Sequence, residues 1–187
     1  MTELPAQWSL ASLRELGTWT GGGTPSKGTS SFWNGDIPWV SPKDMKVARI
    51  RDAQDHITGE AVARSSTNLV QSGAVLVVTR SGILRHTLPV AVTDSEVAIN
   101  QDLKALVPSL GLIPEYVAWF LRGRAAEIID TCSKSGTTVQ SIDTSRLLDF
   151  AIPIAPTAEQ RRIVAAIEEQ FSRLDAAERS LRQAERR

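Results

Sequence analysis

The sequence predicts an α+β fold, with a single mixed α/β domain over residues 1–155 and a long C-terminal coiled-coil helix over residues 156–187. Three observations predict it. Short β-branched and apolar runs, such as Val75-Leu-Val-Val-Thr, mix with helical segments without regular alternation, which argues against a doubly wound sheet. Pro153 and Pro156 then punctuate an apolar strand. Beyond them no Pro or Gly interrupts the chain, and Ala, Glu, Gln, Arg and Leu dominate. A helix of roughly 30 residues measures about 45 Å, too long for the core of a small domain.

In order, residues 8–19 carry Leu10, Leu13 and Leu16 among polar residues and read as strand or short helix. Residues 21–31 are a loop, opened by three glycines and containing Pro25. Asn34-Gly35 is a tight-turn dipeptide, and residues 37–40 read as a short strand after it. Ser41 and Pro42 are expected to cap and open a brief helix. Residues 75–79, 87–92, 97–99 and 103–107 read as strands. Residues 112–131 read as one helix, with Pro114 in its first turn and Val117, Phe120, Leu121, Ile128 and Ile129 facing a core. A polar loop over 133–138, a short helix over 142–148 and a strand over 150–154 complete the domain.

Thr157 and Gln160 match a capping box at the start of the terminal helix. Ile163, Ile167, Gln170, Leu174, Ala177, Leu181 and Ala184 then follow at alternating spacings of four and three, and Val164 and Phe171 widen the stripe. This is a heptad seam, with Gln170 as a polar residue that fixes register. A helix folded back on its own domain is the alternative, but the last turns are too charged to be buried. The chain ends on Glu185-Arg-Arg without a capping glycine, which implies a helix that continues or meets a partner.

A chain of 187 residues with 21 Lys+Arg and 21 Asp+Glu lacks the strongly basic signature of a nucleic-acid binder acting alone. The single cysteine, Cys132, excludes an internal disulfide framework and suits a reducing cytoplasm. No leader and no apolar run of about 18 residues is evident, so a cytoplasmic location is expected. Lys27 lacks the glycine before it that a phosphate loop needs. His56 and His86 have no metal-spaced neighbours. Cys132 has no histidine close in sequence, and neither a Gly-x-Ser-x-Gly elbow nor a methyltransferase Asn-Pro-Pro-aromatic motif is present. The expectation is a protein that is not an enzyme and uses no metal or cofactor.

Several stretches together resemble the specificity subunits of type I restriction–modification systems: Gly22-Gly-Thr-Pro-Ser, Phe32-Trp-Asn-Gly-Asp-Ile-Pro-Trp-Val-Ser-Pro-Lys-Asp-Met, Asn100-Gln101-Asp, the Ser135-Gly-Thr-Thr loop, and Ile152-Pro-Ile with Pro156 and Glu159-Gln160-Arg-Arg-Ile-Val. Their order and spacing across nearly the whole chain carry the likeness. The resemblance implies a target-recognition domain that reads one half of a split DNA target. It also implies a helix used for spacing, dimerisation and docking of the methyltransferase (modification) subunit, with the restriction subunit joining through the complex. In that family each full subunit holds two such domains, whose helices pack antiparallel as a spacer, so this chain resembles a half-subunit or a truncated form. Two copies pairing their seams would recreate a two-domain reader.

The resemblance does not locate the reading residues one by one. Polar loops offer candidates for double-stranded DNA: Lys27, Thr29 and Ser30; Arg80, Ser81, Arg85 and His86; Lys134, Thr137, Thr138 and Gln140. Lys43, with Lys46, suits phosphates. Arg80 and Arg85 are favoured because they flank a glycine in a loop after a buried strand. Trp33 and Trp39 read as anchors rather than stacking platforms. On the helix, Ile163, Ile167, Gln170, Phe171, Leu174 and Leu181 are the candidate partner-facing residues. The competing readings are a coiled-coil interaction module without DNA reading and a methyltransferase or nuclease fragment.

Overall fold

A computed structural model describes residues 4–134, 136 and 138–184. β1 (Ser9–Ser12) leads through a 3-10 turn (Leu13–Leu16) into β2 (Gly17–Gly21), so residues 8–19 are strand and short helix in succession. There follow β3 (Trp33–Val40), β4 (Arg49–Ile50), β5 (Asp55–Ile57), α1 (Gly59–Arg64), β6 (Asn68–Val70), β7 (Val75–Val78), β8 (Val90–Thr93), β9 (Val97–Ile99) and β10 (Leu103–Pro108). Then come α2 (Pro114–Gly123), α3 (Ala125–Cys132), α4 (Thr144–Leu148), β11 (Ala151–Ile154) and α5 (Thr157–Ala184). The mixture is α+β, as expected.

Three sheets organise the strands. A five-stranded sheet runs β2-β10-β7-β8-β4, antiparallel except for the parallel β4–β8 pair. A four-stranded sheet runs β5-β3-β9-β6, with β3 and β9 parallel. β1 and β11 form an antiparallel ribbon, Ser9 opposite Ile154, that ties the start of the chain to the strand before α5. β7, the central strand, is buried along its whole length, as its Val-Leu-Val-Val composition demands. α2 lies across β7 and β8 and closes the main core with Val117 and Leu121. Each such fully buried aliphatic side chain contributes about 1.5–3 kcal/mol. A second cluster, Phe32, Trp39, Ile57, Ala61 and Ala98, sits on the four-stranded sheet.

Several local expectations are corrected. Asn34-Gly35 forms no hairpin turn. Both residues lie inside β3, where Trp33 and Ile37 both face Ile57 across a bulge. Asn34 adopts φ 62°, and a Cβ on Gly35 would collide with the Ile57 carbonyl. Tolerance of left-handed backbone and close approach serves a bulge as well as a turn. Residues 41–45 form successive turns instead of a helix. Asp44 takes hydrogen bonds from both the Ser41 amide and hydroxyl at 2.9 Å, a local bonding pattern that competes with helix continuation. The expected strand over 87–92 begins only at Val90, and the helix expected from 142 begins at Thr144. Residues 112–131 divide at Gly123–Arg124 into α2 and α3, since Gly is a poor interior helix residue.

The root of α5 differs from a capping box. Pro156 O accepts the Glu159 and Gln160 amides at 2.8 and 3.0 Å. The Thr157 hydroxyl donates to Gly111 O at 2.8 Å. Gln160 is fully buried; its Oε1 accepts from the Ile113 amide at 2.9 Å and its Nε2 donates to Ala155 O at 2.8 Å. Gln160 therefore bonds to the domain, because a buried amide must satisfy both its donor and its acceptor. Val164 is buried, and Ile163 and Ile167 are half-buried. From Glu168 to Gln183 the helix is exposed. Phe171, expected on the partner-facing stripe, stacks on Trp119 of its own domain with ring centroids 4.9 Å apart. The Ala184 side chain lies outside the described residues.

Candidate nucleic-acid interface

The two larger sheets meet at the turn from β9 to β10, and that turn positions the most promising charged group. Asn100 is buried; its main-chain N–H donates to Val40 O at 2.9 Å, and its side-chain Oδ1 accepts from the Asp102 amide at 2.9 Å. Asp102 O accepts from the Thr79 and Arg80 amides at 2.8 and 3.2 Å, which pins the end of β7 beside the turn. The Asp102 carboxylate also accepts Arg80 Nε at 2.5 Å. Asn100 Nδ2 donates to the other carboxylate oxygen at 3.2 Å. Backbone and side chain of Asp102 thus fix Arg80 together. The guanidinium remains about half exposed, and among the described residues its two terminal nitrogens have no partner.

Arg80 lines a hollow of about 560 Å³ with Gln101, Lys104, Lys134, Thr138 and Thr144. The far wall is held by two bridges, Arg80 to Ser141 and Ser133 to Ile142, and by the Lys134 amide donating to Ser141 O at 2.9 Å. Lys104 projects from β10 opposite Gly21 of β2; a Cβ on Gly21 would stand 2.6 Å from Lys104 Nζ. Among the described residues no carboxylate pairs with Lys104 or Lys134. Asp143 lies near Lys134. Its carboxyl is held below the ordinary range chiefly by the Arg146 amide, with help from the Ser145 amide and the Lys134 charge. Asp143 caps α4, its Oδ1 accepting the Ser145 and Arg146 amides. The hollow is therefore lined by three cations, Arg80, Lys104 and Lys134, while Asp102 and Asp143 stand behind the wall as positioning groups. That composition suits phosphates and base edges.

The sequence candidates separate on this geometry. Arg80, Lys134 and Thr138 come together on the hollow. Ser81 and Gln140 lie beside it as fasteners. The Ser81 amide donates to Gln140 O at 3.0 Å, and Gln140 Nε2 donates to Ser133 Oγ at 3.0 Å. Arg85 and His86 are exposed at the end of a 3-10 turn, Gly82–Arg85, and do not line the hollow. Of the two favoured arginines, Arg80 lies on the hollow, and the turn after Ser81 carries Arg85 away from the Asp102 anchor. Lys43 donates to Asp55 at 2.7 Å on the surface, and that hydrogen bond raises its pKa. Lys27 and Thr29 belong to the loop that leads to the second cluster, and Ser30 opens a 3-10 turn, Ser30–Phe32. Trp33 Nε1 donates to Ser26 O at 3.1 Å and Trp39 Nε1 to Gly23 O at 3.0 Å, so both tryptophans anchor that loop. A hydrogen bond between Thr24 and Gln101 joins the loop to the rim of the hollow. Thr137, and Ser135 of the same loop, lie outside the described residues.

Gln101, Lys104 and Thr144 were not among the sequence candidates. Lys104 had a readable signal: it is the one polar residue in the otherwise apolar run Leu103-Lys-Ala-Leu-Val. Among the described residues no group of His, Cys, Asp and Glu side chains is arranged to hold a metal ion. No described helix is long and apolar enough to cross a membrane.

Comparison with known proteins gives a consistent picture. The family model described as "Type I restriction modification DNA specificity domain" matches residues 5–186. The specificity subunit of the type I restriction enzyme EcoR124I/EcoR124II of Escherichia coli is 41% identical over 157 residues, covering 83% of this chain and 39% of that one. The MjaIX specificity subunit of Methanocaldococcus jannaschii is 26% identical over 168 residues, covering 88% of this chain and 38% of that one. In fold, the HsdS subunit from Thermoanaerobacter tengcongensis matches with a TM-score of 0.72 at 21% identity, covering 96% of this chain and 41% of that one. The chain thus spans about two-fifths of the length of the relatives it matches.

Proposed function

The chain belongs to the type I restriction modification DNA specificity domain family, and from that premise we propose that it reads one half of a bipartite DNA target and directs adenine methylation and restriction there. The observation that supports this most is Arg80. Its Nε is held by Asp102 and its outer nitrogens face a hollow that also carries Gln101, Lys104 and Lys134. An arginine fixed through Nε keeps its terminal pair available for the O6 and N7 edge of guanine, the commonest specific contact in the major groove. Lys104 and Lys134 would hold phosphates and set register.

The domain performs no chemistry in this reading. A methyltransferase subunit supplies catalysis and most phosphate neutralisation, which accommodates a chain with no net charge. The restriction subunit joins through that complex. The exposed part of α5, with Leu174 at 59% and Leu181 at 65% exposure, is available to a second recognition half or a second copy of the chain. The site of action is the cytoplasm.

The deciding experiment is a mobility shift of the chain together with its methyltransferase subunit on a library of duplexes. Retention of a defined half-site supports the reading. Equal shifts on all duplexes, or none, would leave the coiled-coil interaction module as the better account.

A further inference from the structure

α2 grips α5 at two points. At the root, the Ile113 amide preceding α2 donates to buried Gln160. Farther along, Trp119 of α2 stacks on Phe171 with an interplanar angle of 11°. The two points are about 16 Å apart along α5 at about 1.5 Å per residue. Trp119 is itself held. Arg122 lies 4.7 Å from its ring centroid, and the Arg122 guanidinium is anchored on two backbone carbonyls, Val90 O at 2.5 Å and Ala48 O at 3.2 Å. Arg122 is more buried than most arginines, and that burial pulls its pKa down. Phe171 remains half exposed. A large aromatic on the exposed portion of a charged helix, held flat against a fixed indole, has the geometry of a second bearing.

We infer that Trp119 and Phe171 form an angle-setting clamp, which makes them determinants of the separation between the two half-sites. This rests on the proposed reading of a half-target by each domain. The root holds the base of the rod through Gln160 and buried Val164; the stacked pair adds a hold farther along that limits its swing. From Gln160 to the last described turn α5 extends about 36 Å. A swing of about 10° therefore moves the far end by about 6 Å, which is close to two base-pair steps of about 3.4 Å. The same rod can thus dictate different spacings, depending on how it leaves the domain.

The test uses nitroxide pairs on the whole chain at Glu96→Cys and Ser180→Cys, both exposed positions, with buried Cys132 shielded. Labelled chain is diluted with unlabelled chain so that distances within one molecule are read by pulsed electron resonance. The parent and Phe171→Trp, which keeps a stacking partner, are expected to give a narrow distribution. Phe171→Ala is expected to broaden it or shift it by several ångströms while helix content by circular dichroism stays unchanged. In parallel, with the methyltransferase subunit, duplexes with spacers of graded length are selected. Phe171→Ala is expected to relax the preferred spacer by one or two base pairs, with each half-site sequence retained. An unchanged distance distribution in Phe171→Ala overturns the clamp. A broadened distribution with an unchanged spacer preference overturns its role in spacing. If the parent selects no duplex at all, the DNA reading fails, and the resonance distances still decide the clamp.

Discussion

Asp102 accepts Arg80 Nε at 2.5 Å, and its main-chain carbonyl also accepts the Arg80 amide at 3.2 Å. One residue thus orients both the backbone and the guanidinium of the group proposed to read DNA. Arg80→Ala is expected to cost about 1–3 kcal/mol in binding the preferred half-site and to relax preference at one base position. Asp102→Asn, which keeps the turn but weakens the hold on Nε, is expected to lose less. In a double-mutant cycle the two losses should be strongly non-additive, because Asp102 acts through Arg80. Binding to a set of single-base target variants measures both. Independent, additive losses would contradict the arrangement.

Lys104 and Lys134 carry a different expectation. If each neutralises one phosphate, Lys104→Ala and Lys134→Ala weaken binding to all duplexes alike. Each should also reduce the slope of log K against log salt by about one. Titrations at several salt concentrations read this directly. A change in base preference with an unchanged slope would reassign the residue to base reading.

Gln160 is a stability test separate from DNA. Gln160→Leu leaves the Ile113 amide and Ala155 carbonyl without their side-chain partner. Each buried group left unpaired costs about 1–3 kcal/mol. The urea midpoint should fall accordingly. A midpoint equal to the parent's would show that water or a local shift replaces both bonds.

Leu174→Asp addresses the rod. Leu174 is exposed in the single chain, so the domain should fold as before. Any association through α5 should be lost. Sedimentation of an unchanged oligomer would remove the seam from the assembly.

Asp94 supplies a pH test. Its carboxyl is held below the ordinary range first by the hydrogen bond from Arg49 and then by that from Arg51. A lowered folded-state pKa means that the unfolded chain binds the proton more readily. The contribution is therefore present above the ordinary carboxylate value and is lost as pH falls through the depressed one. These are largely surface pairs, with Arg51 well exposed, so about 1 kcal/mol is the ceiling for Asp94→Asn at neutral pH. Denaturation at pH 6 and pH 3 should show parent and variant separated at the first and converging at the second. A separation that widens on acidification would reverse the sign.

Lys104 and Arg85 show how far the candidate site could be read from the chain. Both are single cations in short polar contexts. Lys104 reaches the hollow only because the β9–β10 turn brings β10 against β7, a pairing between segments some 25 residues apart. Arg85 misses it because residues 82–85 curl into a 3-10 turn, which nothing in Gly-Ile-Leu-Arg announces. Similarly, Asn34-Gly35 has the composition of a hairpin turn, but the partner strand β5 makes it a bulge.

By itself the sequence determined whatever depends on neighbours along the chain. That covers the buried Val75–Val78 strand, the α+β mixture, the proline stop at Pro156 and the long uninterrupted helix beyond it. Those follow from side-chain branching, backbone propensity and periodicity, which act over a few residues. Only the tertiary structure decided that Gln160 turns inward to the domain, that Phe171 lies on Trp119, and that Arg80 rather than Arg85 is held by Asp102. Each of those rests on a contact between residues distant in sequence. A buried polar group or exposed ring takes the partner that packing brings to it, and local pattern carries no record of that partner.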